Sequence, residues 1–129
     1  MTTYQDIIDS MPYGLEKHIL TALSNRVGKD NAIKRYDLLS VINSIPGFDK
    51  TSDRQLRKSI NDLRKGGQLI ASLATEDGGY YVCANLEEYY EFANRELGAK
   101  IRDMSETLRE MEKAARQQFG DSFQPSLIG

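Results

Sequence analysis

Apolar positions recur at helical spacing along the first half of the chain. Leu15, Ile19, Ala22, Leu23 and Val27 share one face of a first core helix predicted over 15–27, with Gly28 as its terminator. Before it, residues 1–13 read as an N-terminal arm or short helix broken by Pro12. After it, Ala32, Ile33 and Lys34 make a short bridge or small strand, and Leu38, Ile42 and Ile45 mark one side of a second helix. Pro46 and Gly47 end that helix, because proline lacks an amide donor and glycine accepts turn dihedrals.

The third helix carries the clearest start signal. In TSDRQLRKSINDLRKGG, Ser52 can cap the first free amides while Gln55, three places on, returns a bond to the cap backbone. Leu56, Ile60 and Leu63 then face a core. A rotation of about 100° per residue puts Arg54, Arg57, Lys58, Asn61 and Lys65 largely on the opposite surface. Gly66 and Gly67 supply the stop.

Beyond them the period changes from helical to alternating. Residues 68–72 and 80–84 read as two strands, and Asp77, Gly78 and Gly79 favour a reversal that joins them into an antiparallel hairpin. Two strands alone are marginal in water, so helices must cover them. The expected common core is Leu23, Val27, Leu38, Ile42, Leu56, Ile60, Leu63, Ile70 and Val82.

Asn85 and Glu88 fit the cap of another helix, predicted over 86–118 with no proline inside it. Leu97, Ile101, Met104, Leu108, Met111 and Ala115 alternate in spacing between four and three residues, the a/d pattern of a coiled coil. At about 1.5 Å per residue such a helix is on the order of 50 Å long, more than a small domain covers. Its distal part therefore wants a partner helix; folding back over the domain is the competing arrangement. Gly98 with Ala93, Ala99, Ala114 and Ala115 permits close crossing or a bend. The tail over 119–129 is expected to fray, with Phe123, Leu127 and Ile128 as a small apolar anchor.

Composition narrows the class. A chain of 129 residues supports one modest core with an extension rather than two full domains. Its hydrophobic and charged fractions, 40% and 28%, point to a globular protein rather than a disordered one. One Cys excludes an intramolecular disulfide, and one His with one Cys does not build a common structural zinc site, so no metal or cofactor is expected. No basic leader and no long apolar run is visible, which leads to an expected cytoplasmic location away from membranes. P-loop, HExxH, CxxC and GxSxG patterns are absent, and no enzymatic activity is expected.

Net charge is −2, but its distribution is more informative. Over 50–67, Lys50, Arg54, Arg57, Lys58, Arg64 and Lys65 face only Asp53 and Asp62, a local balance of +4. This is a candidate anion-binding surface.

The order helix, bridge, helix, helix, strand, turn, strand over 14–85 resembles a winged helix domain, particularly those of phage-type and bacterial DNA-binding regulators. The stretch DRQLRKSINDLRKGGQLIAS, followed by GGYYVCANLEEYYEF, carries the resemblance, and the long distal helix is similar to additions that dimerise such modules. The fold class is then mainly α with a small β hairpin: a winged helix-turn-helix plus a long C-terminal dimerisation helix over 86–118. The resemblance implies that the third helix reads the major groove and that the hairpin approaches phosphate or the minor groove. On this sequence it makes Arg54, Arg57, Lys58 and Asn61 candidate base contacts and Lys50, Arg64 and Lys65 candidate phosphate contacts. Thr75, Glu76 and Tyr80 fall on the wing, where Glu76 and Asp77 depart from the basic groups common in that family.

The chemistry suits these residue types. Arginine pairs with guanine and asparagine with adenine through two hydrogen bonds each, and a polycation gains affinity by releasing phosphate counterions. Arg57 and Asn61, four apart on one surface, are the leading base readers. The competing reading of the same residues is a solvated charge face that keeps an amphipathic helix soluble. Arg64, beside Leu63, also suits snorkelling or pairing with an acid. Strand alternation turns one of Tyr80 and Tyr81 to the core and offers the other as a contact. Tyr89, Tyr90 and Phe92 read as packing groups, His18 as a surface or satisfied histidine, and Cys83 as a small buried side chain.

The expected function is sequence-selective binding of double-stranded DNA by a small homodimeric transcriptional regulator, cytoplasmic and nucleoid-associated, with paired half-sites in its operator. The alternative is a winged helix protein-interaction or assembly module without direct DNA readout.

Overall fold

The computed structural model describes residues 3–76 and 78–120; Asp77 and the apolar anchor expected at Phe123, Leu127 and Ile128 lie outside the described residues. The chain divides into two compact units, Met1–Tyr89 and Tyr90–Gly129.

The first unit begins with α1 (Tyr4–Ser10), so the arm or short helix expected over 1–13 contains a helix. Thr3 and Asp6 form its capping box: the Asp6 amide donates to Thr3 Oγ1 at 3.1 Å and the Thr3 amide to Asp6 Oδ2 at 3.0 Å. Next come α2 (Leu15–Leu23), α3 (Arg35–Asn43), α4 (Asp53–Lys65), β1 (Ile70–Ser72) and β2 (Tyr80–Val82). The shared core takes Ile19, Leu20 and Leu23 from α2, Leu38 and Ile42 from α3, Leu56, Ile60 and Leu63 from α4, and Ile70 and Tyr80 from the hairpin. Helical periodicity is the cause: each helix offers one apolar stripe, and three such stripes close over one face of the sheet.

Two expectations need correction. The first core helix stops at Leu23, not Val27. Ser24 and Arg26 turn the chain through backbone bonds to Thr21 and Leu23, and Val27 then forms a parallel bridge with Val82. Val27 is 45% exposed and Val82 only partly buried, so neither belongs to the inner core. Competition from a strand partner, invisible to helical spacing, ended the helix early.

The second correction concerns the tyrosines. The hairpin is antiparallel, with Ile70 opposite Val82, Ala71 opposite Tyr81 and Ser72 opposite Tyr80, and each strand is shorter than expected. Tyr80 joins the main core, while Tyr81 lies on the other face with Ala71 and is completely buried. Neither ring is offered to solvent. Alternation fixes which way a side chain points, but not whether the second face is covered.

The bridge expected at 32–34 is present. Ile33 and Tyr80 exchange backbone bonds of 3.0 and 2.9 Å, which gives the hairpin a third partner in miniature. This is the architecture of a winged helix-turn-helix.

Between α3 and α4 the turn is held by one side chain. Asn43 Nδ2 donates to the Thr51 carbonyl at 3.1 Å, and the Thr51 amide donates to Asn43 Oδ1 at 2.7 Å. Thr51 is buried, so its backbone groups have little access to water as a substitute. Asn43→Ala should cost about 1–3 kcal/mol in urea unfolding, the range for stranding buried polar groups. Thr51→Ala keeps both backbone partners and should cost clearly less.

The helix that leaves this unit, α5 (Leu86–Phe92), starts on the expected cap: the Glu88 amide donates to Asn85 Oδ1 at 2.9 Å. The Glu88 carboxylate also accepts from the Ala84 amide at 2.8 Å and the Lys29 amide at 2.9 Å, joining two distant segments of the unit. The second unit continues through a π-helical stretch, Ala93–Gly98, into α6 (Ala99–Phe119). The helix predicted over 86–118 is therefore present with a π-helical insertion over Ala93–Gly98, a rare form of helix irregularity.

Candidate nucleic-acid interface

The residues of interest are positioned from the start of α4. Ser52 and Gln55 form the predicted capping box, with Gln55 N to Ser52 Oγ at 3.2 Å and Ser52 N to Gln55 Oε1 at 2.8 Å. With Leu56, Ile60 and Leu63 buried, the helix cannot rotate without exposing its stripe. Arg54, Arg57, Lys58, Asn61 and Lys65 are all exposed on its other side, and Lys50 is exposed in the preceding turn.

These groups differ in what already holds them. Arg57 Nε lies 3.1 Å from Asp53 Oδ2 and Lys58 Nζ 3.2 Å from Asp62 Oδ2, both one turn apart. Such exposed pairs contribute roughly 0–1 kcal/mol each, less than a good bidentate base contact of about 1–3 kcal/mol. The pairs orient the side chains without committing them. Arg54, Asn61 and Lys65 have no hydrogen-bond or ion-pair partner among the described residues.

Arg64 differs from the rest of the basic group. It is half-buried, and its Nε donates to the Ile70 carbonyl at 2.7 Å, tying the end of α4 to β1. The sequence assigned it to phosphate; in the fold its guanidinium is engaged in positioning the hairpin.

On the wing, Thr75 and Glu76 are exposed. The Gly78 amide donates to the Thr75 carbonyl at 3.0 Å. Gly79 has φ +146° and a Cβ there would stand 3.1 Å from Leu73 Cδ1 and 3.3 Å from the Ile33 carbonyl, so a side chain would be strained at that φ and crowded against the bridge. Tyr80, at the wing's base, points inward, and its burial raises its hydroxyl pKa.

Sequence reasoning passed over Arg35 and Tyr36. Arg35 Nε lies 2.9 Å from Asp53 Oδ1, its Nη2 donates to the Tyr36 hydroxyl at 3.2 Å, and its guanidinium stands 5.0 Å from the Tyr36 ring centroid. The bond to Tyr36 is the main cause of the raised Arg35 pKa. The signal was a basic and aromatic run, Lys34-Arg35-Tyr36, at the start of α3.

Other chemistry-bearing residues are explained locally. His18 packs its ring edge-on between Tyr13 and Phe48, at 5.0 and 4.6 Å. Burial and the Glu88 carboxylate push the Cys83 thiol up, opposite to what an activated thiolate requires. Among the described residues no group of three or more His, Cys, Asp or Glu is placed to hold a metal ion, and no helix is long and apolar enough to cross a membrane.

In the second unit, Ile101, Met104 and Met111 are 65%, 72% and 66% exposed on α6, with Leu108 and Ala115 half-buried beside them. Leu97, also exposed, lies within the π-helical stretch just before α6. Within the second unit the stripe is thus largely exposed.

Comparison with known proteins finds no matching family model, no similar curated protein and no similar solved structure.

Proposed function

We propose that this chain binds duplex DNA sequence-selectively and acts as a small dimeric transcriptional regulator in the cytoplasm, associated with the nucleoid. The observation that carries the reading is α4: a capped, core-anchored helix that presents Arg54, Arg57, Lys58 and Asn61 together to solvent. A helix of this kind fits the major groove, where base edges carry a distinguishable donor and acceptor code. Arg57 and Asn61 read bases, with Arg54 and Lys58 widening the contact. Lys50 and Lys65 take phosphate. The protein works by occupancy, without covalent chemistry and without a cofactor.

Two copies associate through Ile101, Met104, Leu108, Met111 and Ala115, with Leu97 at the proximal end. Covering that stripe removes apolar surface from water, and joining two readers raises the effective concentration of the second. Recruitment as a protein-interaction module is the second reading, favoured by one observation: the wing presents Glu76 rather than a cation.

The two readings separate in a selection of bound duplexes from a random pool, followed by titration at several salt concentrations. DNA readout gives an enriched site whose log affinity falls linearly with log salt, by about 0.9 per phosphate neutralised. No enrichment, with only weak salt-sensitive retention, is the result for the interaction module.

A further inference from the structure

The carboxylate of Asp53, at the first position of α4, stands between two arginines from different helices. Its Oδ1 faces Arg35 Nε at 2.9 Å and its Oδ2 faces Arg57 Nε at 3.1 Å. The Arg35 contact is short but poorly aligned: both atoms are shielded from water, yet neither makes a hydrogen bond of acceptable geometry. Around it the guanidinium is held. Tyr36 holds Nη2 and flanks one face, and Gly78 borders another side, where an added Cβ would stand 3.7 Å from Nη1. Arg35 is thus a pre-oriented planar cation at the meeting point of α3, α4 and the wing, neutralised by an acid shared with the recognition helix.

We propose that Arg35 is a phosphodiester-binding residue gated by Asp53, which stands in for the phosphate in the free protein and restrains both arginines until the backbone of a duplex replaces it. The proposal rests on the DNA reading above and adds to it a contact outside α4 and a reason for the acid. A planar guanidinium suits phosphate through two parallel bonds, a geometry that the misaligned carboxylate does not supply. The shared acid also pairs with Arg57, so leaving Asp53 is rewarded at both arginines only where a duplex offers Arg35 a phosphate and Arg57 a matching base. It therefore suppresses binding to random duplex more than binding to the selected site.

The test uses the full chain as wild type, Asp53→Asn, Asp62→Asn, Arg35→Gln and the Arg35→Gln/Asp53→Asn double variant, each shown to be folded by its thermal melt. Affinity for a random-sequence duplex is measured at low salt, and elution from heparin is measured as a DNA-independent readout. Asp53→Asn should tighten random-duplex binding about three- to ten-fold and elute later from heparin, as expected for removing a charge within several ångströms of the phosphates. Asp62→Asn, which removes the same charge from an acid paired with Lys58, should shift affinity less than about two-fold by the same reasoning. In the Arg35→Gln background the Asp53→Asn gain should fall by at least half, and Arg35→Gln alone should weaken binding to both probes. Equal gains for Asp53→Asn and Asp62→Asn, or a gain untouched by Arg35→Gln, overturn the gate. If Asp53→Asn does not fold, an Arg35→Gln protein with unchanged heparin elution overturns it instead. A wild type that selects no duplex but shows the full heparin pattern removes the DNA reading and leaves the gated anion site standing. A selected site with equal responses at Asp53 and Asp62 does the reverse.

Discussion

Charge reversal at Arg57 (Arg57→Glu) is expected to lower affinity for a selected duplex by about 100-fold or more. A bidentate arginine–guanine contact contributes roughly 1–3 kcal/mol, and the new carboxylate adds repulsion from neighbouring phosphates. Arg57→Ala, which removes the contact without adding an anion, should cost about 5- to 100-fold by the same range. Random-duplex affinity should fall less in both variants, because phosphate contacts from Lys50 and Lys65 do not distinguish sequences. Stability should hardly change: the Arg57 side chain is 59% exposed and is not among the buried residues of α4. Parallel fluorescence titrations and thermal melts check both halves of this expectation.

The second large effect concerns α6. Leu108→Glu places a charge in the middle of the stripe formed by Ile101, Met104, Met111 and Ala115, where a partner helix would have to desolvate it. Light scattering should show a dimer for the wild type and a monomer for the variant. Affinity for a two-half-site duplex should fall by about 10²- to 10⁴-fold, the usual gain from linking two binding events, while affinity for a single half-site stays unchanged. The unfolding of the first unit should be preserved, since its main core cluster runs from Ile8 to Tyr80 and takes nothing from α6. A wild type that is already a monomer would instead support the folded-back helix.

Much of the fold was legible because its signals are local. The Ser52–Gln55 box, the Leu56/Ile60/Leu63 stripe and the Asn85–Glu88 cap each depend on residues within one or two turns, and all three are present. What escaped depends on partners far along the chain. Val27 has helical spacing but is drawn into a bridge with Val82, and Tyr81 is buried although it lies on the face away from the main core. Residues 1–13 stayed open between an arm and a short helix for another reason: seven residues are too few to establish a period, although Thr3 and Asp6 already carried the cap of α1.

The candidate site divides in the same way. Exposure of Arg54, Arg57, Lys58, Asn61 and Lys65 follows directly from the helical rotation that buries the stripe. The commitment of Arg64 to the Ile70 carbonyl and the Arg35–Asp53 contact could not be read, since each requires knowing which elements meet. Charge counting located the basic segment; only the fold separates the arginines that hold the domain together from those that face outward.

The central claim, that the outer face of α4 reads base edges in the major groove, is tested most directly by guanine-N7 methylation interference on the selected duplex. The expected pattern is interference at guanines in two half-sites about one helical turn (roughly 34 Å) apart, with one guanine per half-site no longer sensitive when Arg57→Ala replaces the wild type. A bound duplex indifferent to major-groove methylation, or a pattern identical in wild type and Arg57→Ala, would contradict it.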